Sequence, residues 1–274
     1  MPGRLILCAT PIGNLGDAPR RLAETLGAVD LIYAEDTRRA GILLAHLGVG
    51  APVRSYFAGN EDQRSTELAR RLEKGETVAL ITEAGMPSVS DPGVSAVAAA
   101  RSVDAEVTVV PGPSAVLAAL VLSGFPSERF VFEGFLPRRG GERRRRLEEI
   151  ATETRTIVVF TAPHRFRHDL LDLEEVCGGD RPVAVCRELT KRYEEVWWGP
   201  VAEATSRFEA PKGEFTIVIR GAGPPSGDLE AGLRLVGDRV AAGSTRASAV
   251  RAVAAELGLS RRELYGAVLA GDRS

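Results

Sequence analysis

Three stretches of this sequence put carboxylates and cations directly after apolar runs, where side chains could hold a small ligand or move a proton. The first is Thr82 to Gly93, Thr-Glu-Ala-Gly-Met-Pro-Ser-Val-Ser-Asp-Pro-Gly, which follows Val78, Ala79, Leu80 and Ile81. A β-forming run that breaks into Gly and Pro reads as a buried parallel strand delivering a rigid loop, here armed with Glu83 and Asp91. The second is Glu35-Asp36-Thr37-Arg38-Arg39, after Leu31, Ile32, Tyr33 and Ala34. An acidic pair at a strand end can hold ribose hydroxyls or accept a proton, and neighbouring arginines can hold phosphate. The plainer reading makes Asp36 and Thr37 a helix start and leaves the arginines in solvent. The third, Arg187-Glu188-Leu189-Thr190-Lys191-Arg192, supplies both signs of charge after a strand-like run.

Two Gly/Pro turns stand in equivalent places. Thr10-Pro11-Ile12-Gly13-Asn14-Leu15 ends a run from Leu5 to Ala9, and Pro111-Gly112-Pro113-Ser114-Ala115 ends one from Val107 to Val110. Proline removes a donor, glycine lets the backbone approach a ligand, and small residues leave a helix N-terminus unobstructed. Neither turn has the glycine spacing of a dinucleotide site or a phosphate loop, which weighs against a nucleoside triphosphate or dinucleotide. Phosphate contacts of another kind are suggested by Arg138, Arg139 and Arg143 to Arg146, a cluster dense enough to neutralise several phosphates of an RNA. The competing account pairs Arg144 and Arg145 with Glu148 and Glu149 at helical spacing, which answers only part of the charge. His164 and His168 stand four apart without a third ligand, so no metal site is expected. Of Trp197 and Trp198 at most one can stack on a base, since adjacent strand residues point to opposite faces; packing at a core or domain interface is the expected role.

The elements that must carry these residues form an α/β pattern. In the first half, strands near 5–9, 31–34, 53–56, 78–81 and 107–110 alternate with helices, which predicts a mostly parallel sheet. The pattern restarts at Ser123, with strands near 130–132, 156–160, 182–186, 195–201 and 215–219 whose closer spacing predicts mixed pairing. The expected architecture is two α/β domains flanking a cleft, residues 1–122 and 123–223, and such clefts favour ligands. A Gly/Pro linker from Gly221 to Gly227 then leads to a small helical appendage over 228–274. Its helices are expected near 230–242, 245–257 and 261–270, with Leu257-Gly258 as a stop and Ser260 with Glu263 as a capping box.

Composition sets the bounds. With 274 residues, 44% hydrophobic and 26% charged, the chain can bury one large core or two ordinary ones. No apolar run reaches bilayer length and no signal peptide is visible, so a soluble, cytoplasmic protein without membrane contact is expected. Cys8, Cys177 and Cys186 are an odd number and form no Cys-x-x-Cys pair, which fits reduced thiols. A formal charge of -2 gives no overall basic field, so RNA contact must come from local clusters.

The blocks Thr10 to Leu15, Ala34 to Arg38, Ala84-Gly85-x-Pro87 with Ser90 to Gly93, Pro111 to Ala115, Glu133 to Pro137, Pro163-His164-Arg165 and Arg187 to Lys191 occur in this order. Together they resemble the small-subunit ribosomal RNA cytidine 2'-O-methyltransferases of the tetrapyrrole methylase superfamily, over essentially the whole chain. The resemblance implies two α/β domains with S-adenosylmethionine between them, commonly a homodimer, and a cytidine ribose in the decoding region of the small ribosomal subunit (16S rRNA) as acceptor. It places Pro11, Gly13, Glu83, Ala84, Gly85, Ser114, Ala115, Phe160, Thr161 and Leu189 around the cofactor. It turns Arg38, Arg39, Arg187 and Lys191 to the RNA, beside Arg138 and Arg143 of the basic cluster.

Transfer of a methyl group to a ribose hydroxyl needs help with deprotonation, for which Glu35 or Asp36 is expected near the oxygen and Lys191 near the developing alkoxide or a phosphate. The sequence departs from the family at three points: Glu83 in place of aspartate, Gly59 in place of histidine, and Thr161 in place of glutamate. These departures favour a rival reading, a non-catalytic small-subunit assembly factor. A second rival, methylation of a tetrapyrrole or other small acceptor, is disfavoured because such relatives carry a glycine-rich first loop and Thr10 to Asn14 is not one.

Overall fold

Ten strands form two separate five-stranded sheets, and the computed structural model describes them within residues 3–208, 212–223, 229–257, 259 and 261–271. The first sheet contains β1 (Arg4–Cys8), β2 (Leu31–Ala34), β3 (Val53–Ser55), β4 (Thr77–Ile81) and β5 (Glu106–Val110), in the order β3-β2-β4-β1-β5. Every pairing in it is parallel. The connecting helices α1 (Arg20–Leu26), α2 (Thr37–Leu47), α3 (Glu61–Glu73) and α4 (Val94–Ser102) cover both faces. This is why the strands read as unbroken apolar runs: Ile6, Cys8, Ile32, Ala79 and Ile81 pack with α1 and α2, while Leu5, Leu31, Tyr33, Val78 and Leu80 pack with α3 and α4.

The second sheet contains β6 (Phe130–Phe135), β7 (Thr156–Thr161), β8 (Pro182–Arg187), β9 (Glu195–Pro200) and β10 (Phe215–Ile219), in the order β6-β7-β10-β8-β9. Only β6 and β7 run parallel; the other neighbours are antiparallel, as the short spacings in this half require. One face packs on α6 (Gly140–Thr152), α7 (Pro163–Cys177) and α8 (Val201–Arg207) around Ile157, Val159, Val185 and Ile217. The opposite face packs on α5 (Ala115–Ser123), through Val116, Ala119 and Leu120 against Val158, Ala184, Cys186 and Val218.

The placement of α5 moves the junction. Sequence periodicity puts it near Leu122, at the end of α5, but α5 buries its inner face on the second sheet. The packing therefore changes hands before the helix, at Pro111 to Ser114. Trp198 lies across the same junction, half exposed, with its indole N–H donating to the Leu122 carbonyl at 3.0 Å, while Trp197 turns to Phe208 on the other face of the sheet. The pair thus divides as alternating strand residues must.

Helices α9 (Leu229–Ala241), α10 (Arg246–Glu256) and α11 (Arg261–Gly271) form the appendage around Val236, Val250, Val253 and Leu264. Thr245 caps α10, its hydroxyl accepting from the Ser248 N–H. The expected stop at Gly258 and the cap at Ser260 lie outside the described residues. Among the described residues no helix is long and apolar enough to cross a membrane.

Burial also fixes the thiols. It pushes Cys8 and Cys186 up to about 12 and raises Cys177 as well, so thiolate is scarce at neutral pH. The folded protein is expected to react slowly with a disulfide reagent at mildly alkaline pH and to titrate all three thiols once denatured. Prompt reaction of Cys8 or Cys186 in the folded state would contradict this packing.

Candidate active site

Three strands of the first sheet end at one level. Cys8 and Ala34 both pair with Ile81, so Thr10, Glu35 and Thr82-Glu83 leave the sheet together at its carboxyl edge. That edge is where open α/β sheets bind ligands. The loop after β4 is fixed there at several points. Thr10 and Gly85 exchange backbone hydrogen bonds at 2.9 and 3.1 Å, and the Thr10 hydroxyl donates to the Thr82 carbonyl at 3.2 Å. Ser88 and Ser90 adopt left-handed backbone, φ 71° and 64°, a strained state that persists where the surroundings impose it. At its far end the Gly93 N–H donates to a Glu61 carboxylate oxygen at 3.2 Å. Mid-loop, Ser90 reaches the second domain: a Cβ on Gly134, at the bulge of β6, would stand 3.1 Å from the Ser90 hydroxyl.

The second domain supplies the facing wall. The ends of β7 and β8 and the start of β10 bring Phe160, Thr161, Leu189, Glu214 and Phe215 to the same space, and α5 begins there with Ser114 and Ala115. Glu188 and Thr190 are also left-handed, so a second strained loop faces the first. The space between these walls measures about 390 Å³, inside the range of small-molecule sites. Its walls are apolar at Ile12, Val116, Phe135, Phe160 and Leu189 and acidic at Glu35, Glu83, Asp91 and Glu214.

The acids differ in their partners. Glu83 pairs with Arg39 at 3.0 Å, and Glu214 pairs with Lys191 at 2.9 Å. Glu35 and Asp91 form no ion pair among the described residues. Desolvation, with repulsion from Glu83, holds the Glu35 carboxyl above its ordinary range. Asp91 is pushed up to about 7, first by desolvation and then by the charge of Glu35, against a hydrogen bond with the Thr82 hydroxyl that lowers it; Glu83 adds a smaller upward push.

Several expected residues are gathered in the cavity: Glu35, Glu83, Ala84, Gly85, Ser114, Ala115, Phe160, Thr161, Leu189 and Arg39. Others are not. Ile12 lines the cavity where Pro11 and Gly13 were expected; Pro11 is buried, and Gly13 lies under Lys191, whose Cγ stands 2.4 Å from where a Cβ would be. Asp36 caps α2, accepting from the N–H groups of Arg38 and Arg39, and pairs with the Arg38 guanidinium, which together hold it at about 2. So acidic a group is a poor base. Lys191 lies 2.9 Å from Glu188 as well as Glu214; burial opposes its charge, but these carboxylates prevail and raise its pKa, so it stays an ammonium and cannot accept a proton.

The basic cluster also divides. Arg138 and Arg139 are exposed, as are Arg144 and Arg145. Arg143 is buried and does not face solvent: it lies on the α6 face of Leu147 and Ile150, bound to Asp169 at 2.8 Å, to Asp172 and to the Pro137 carbonyl. Arg146, rather than Arg144 or Arg145, takes the helical ion pair, with Glu149 at 3.4 Å, and also binds Glu133. Arg187 donates to the Lys212 carbonyl, pairs with Glu195 and stands over Phe215, all contacts within its own domain.

Of the family departures, Thr161 is held in the wall by donating to Asp169 at 2.6 Å, and Asp169 also receives Arg143 and Arg165. Glu83 is engaged by Arg39. Gly59 is not a cavity residue; a Cβ there would stand 2.6 Å from the Phe57 ring. Sequence reading singles out the Asp91 carboxylate but gives it no role, and it quotes Phe135 only within the block Glu133 to Pro137; it has no local signal for Glu214, which like Phe135 arrives from the other domain.

The family model for tetrapyrrole (corrin/porphyrin) methylases matches residues 4–205, across both sheets. The chain belongs to the tetrapyrrole methylase family. This methylase is 45% identical over 268 residues to the ribosomal RNA small subunit methyltransferase I of Synechocystis, covering 96% of each chain. It is 46% identical over 221 residues to the protein of that name from Thermotoga maritima, covering 80% of this chain and 99% of the other. In structure it resembles diphthine synthase, with a TM-score of 0.62 at 14% identity over 79% of this chain and 89% of that one. The uroporphyrin-III C-methyltransferase of Thermus thermophilus, solved with S-adenosylhomocysteine, gives a TM-score of 0.55 at 19% identity, covering 79% and 96%. The structural likenesses show the methylase fold, and family membership with the named relatives makes the chain an S-adenosylmethionine-dependent methyltransferase.

The cavity residues of this methylase fit that cofactor. Apolar walls suit its adenine and alkyl chain, acids suit its ammonium and sulfonium, and it has no phosphate to demand a glycine cradle.

Proposed function

We propose that this methylase transfers a methyl group to the ribose 2'-oxygen of a cytidine in the decoding region of small-subunit ribosomal RNA. Ribosomal RNA as the substrate class follows from 45% identity, over nearly the full length, to proteins named for that activity. The observation that carries the reading within the molecule is the acidic, apolar-walled cavity between two domains, with exposed arginines on the β6–α6 loop and at the start of α2. Ala84, Gly85, Ser114, Ala115, Phe160, Thr161 and Leu189 would hold the cofactor, which when bound supplies an electrophilic methyl on a sulfonium. Pro11 and Gly13 support it indirectly, by shaping the turn that presents Ile12.

Arg38, 90% exposed, together with Arg138 and Arg139, would meet RNA phosphates and set its register without reading sequence. Arg39, bridging to Glu83, stands between that surface and the cavity. Lys191, fixed as a cation beside Glu214, would steady negative charge on the acceptor side. A homodimer belongs to the reading as well: α5 exposes Leu117 and Val121 beside Leu122 and Trp198, an apolar face that a second copy would cover.

The test is mass spectrometry of digested ribosomal RNA after incubating the protein with labelled S-adenosylmethionine and unmodified small subunits. Labelled 2'-O-methylcytidine from the decoding region is the expected product. Subunit binding without label would instead favour the assembly-factor reading, and would make Glu83→Asp and Thr161→Glu the informative variants.

A further inference from the structure

We propose that Asp91 is the general base of the transfer, taking the proton of the acceptor hydroxyl, and that Glu35 is the positioning neighbour that sets its basicity. The inference rests on the hydroxyl-methylation reading above and deepens it. Four carboxylates face the cavity, and two are engaged by cations: Glu83 by Arg39 and Glu214 by Lys191. A carboxylate oxygen already bonded to a guanidinium or ammonium is turned to that partner and not to an incoming hydroxyl. Asp36, the other acid of the β2 end, is committed to Arg38 and the α2 cap and does not line the cavity.

That leaves Glu35 and Asp91, and their supports differ. Glu35 follows β2 directly and belongs to the sheet edge. Asp91 stands on the loop that crosses toward Gly134 of the second domain, held by left-handed Ser88 and Ser90 on one side and by the Glu61 clamp on Gly93 on the other. A base set between the domains, on backbone that cannot relax, is placed to meet an acceptor entering the cleft. The charged groups around it are Glu35 from β2 and Glu83 from β4, with Arg39 of α2 spent on Glu83; Glu61 of α3 is engaged by Gly93 and Ser95. Two neighbouring carboxylates in a desolvated site do not both ionise readily, which brings a proton acceptor close to neutral pH, where a general base works best. The step balances without another reactant. The O–H bond breaks with its proton going to the Asp91 carboxylate, the oxygen pair forms the O–CH3 bond, and the C–S pair leaves on sulfur, which becomes neutral.

The experiment is single-turnover methylation of unmodified small subunits across neutral pH with wild type, Asp91→Asn and Glu35→Gln, with calorimetric binding of S-adenosylhomocysteine to each. For wild type the rate should rise about tenfold per pH unit and level off near the Asp91 value of about 7. Asp91→Asn should lower the plateau by about 10²–10⁴-fold and erase the acid limb, with cofactor affinity within a few-fold of wild type. Glu35→Gln removes the like charge and should move the limb to lower pH, a shift that a merely structural role for Asp91 would not produce. The carboxyl infrared band lost in Asp91→Asn should titrate at the same pH as the limb. An active wild type whose rate and limb survive Asp91→Asn overturns the proposal and leaves the function standing. Abolition of the rate by Glu35→Gln with only a limb shift in Asp91→Asn exchanges the two roles and also overturns it. A wild type that binds subunits but transfers no label defeats the functional reading, and the base assignment with it.

Discussion

Asp169→Ala is expected to cost about 3–5 kcal/mol of folding stability, the range found when one partner of a buried ion pair is removed. Asp169 is 1% exposed and accepts from the Arg143 guanidinium at 2.8 Å, the Thr161 hydroxyl at 2.6 Å and Arg165 at 3.4 Å. Taking it away strands Arg143, itself 5% exposed, beside Asp172 alone. The same guanidinium groups donate to the Leu136 and Pro137 carbonyls, so the loop that carries Arg138 and Arg139 loses its anchor as well. Urea titration checks the prediction, and the double replacement Arg143→Met with Asp169→Leu should recover only part of the loss, because it removes the stranded Arg143 charge but leaves Asp172, Arg165 and the Thr161 hydroxyl without their partners. Should Asp169→Ala unfold at the wild-type midpoint, the network would not be what ties α6 to α7. A loss of cofactor affinity is expected alongside, since Thr161 would no longer be held in the wall.

Ala115→Trp is expected to weaken S-adenosylmethionine binding by about ten- to hundredfold, the equivalent of roughly 1.4–3 kcal/mol of steric conflict. Ala115 is the first residue of α5, after the Ser114 cap, and lines the cavity against Phe160 and Leu189. An indole there is compatible with a helix start and fills space that the cofactor must use, so thermal stability should change little. Calorimetric titration separates the outcomes. Unchanged affinity in a folded variant would show that the cofactor does not occupy this cavity, and would remove the basis for assigning Thr161 and Leu189 to its wall.

How much of this was legible in the chain depends on whether the deciding contact is local. The apolar runs of β1, β2 and β4, uninterrupted by polar alternation, announce strands buried on both faces, and the breaks after them at Thr10, Glu35 and Thr82 announce the carboxyl edge. The buried fate of Arg143 was also written locally, in its spacing of four and seven from Leu147 and Ile150, and was obscured by the density of arginines around it. The cap at Asp36 was available as the plainer of two readings, and the structure chose it.

Other features have no local trace. α5 looks like the last helix of the first domain because it follows β5, yet its apolar surface is claimed by a sheet formed much later in the chain. The cations that pair with Glu83 and Glu214 come from α2 and from the loop after β8, and nothing near either glutamate in sequence indicates which arginine or lysine will reach it. The sequence by itself therefore determined the elements, the two sheets, the family and the edge where the chemistry sits, since periodicity, turn residues and short motifs act over a few residues. Only the tertiary structure decided which carboxylates remain unpaired in the cleft. Desolvation and ion pairing depend on distances between groups that the chain separates by tens of residues and the fold brings within a few ångströms.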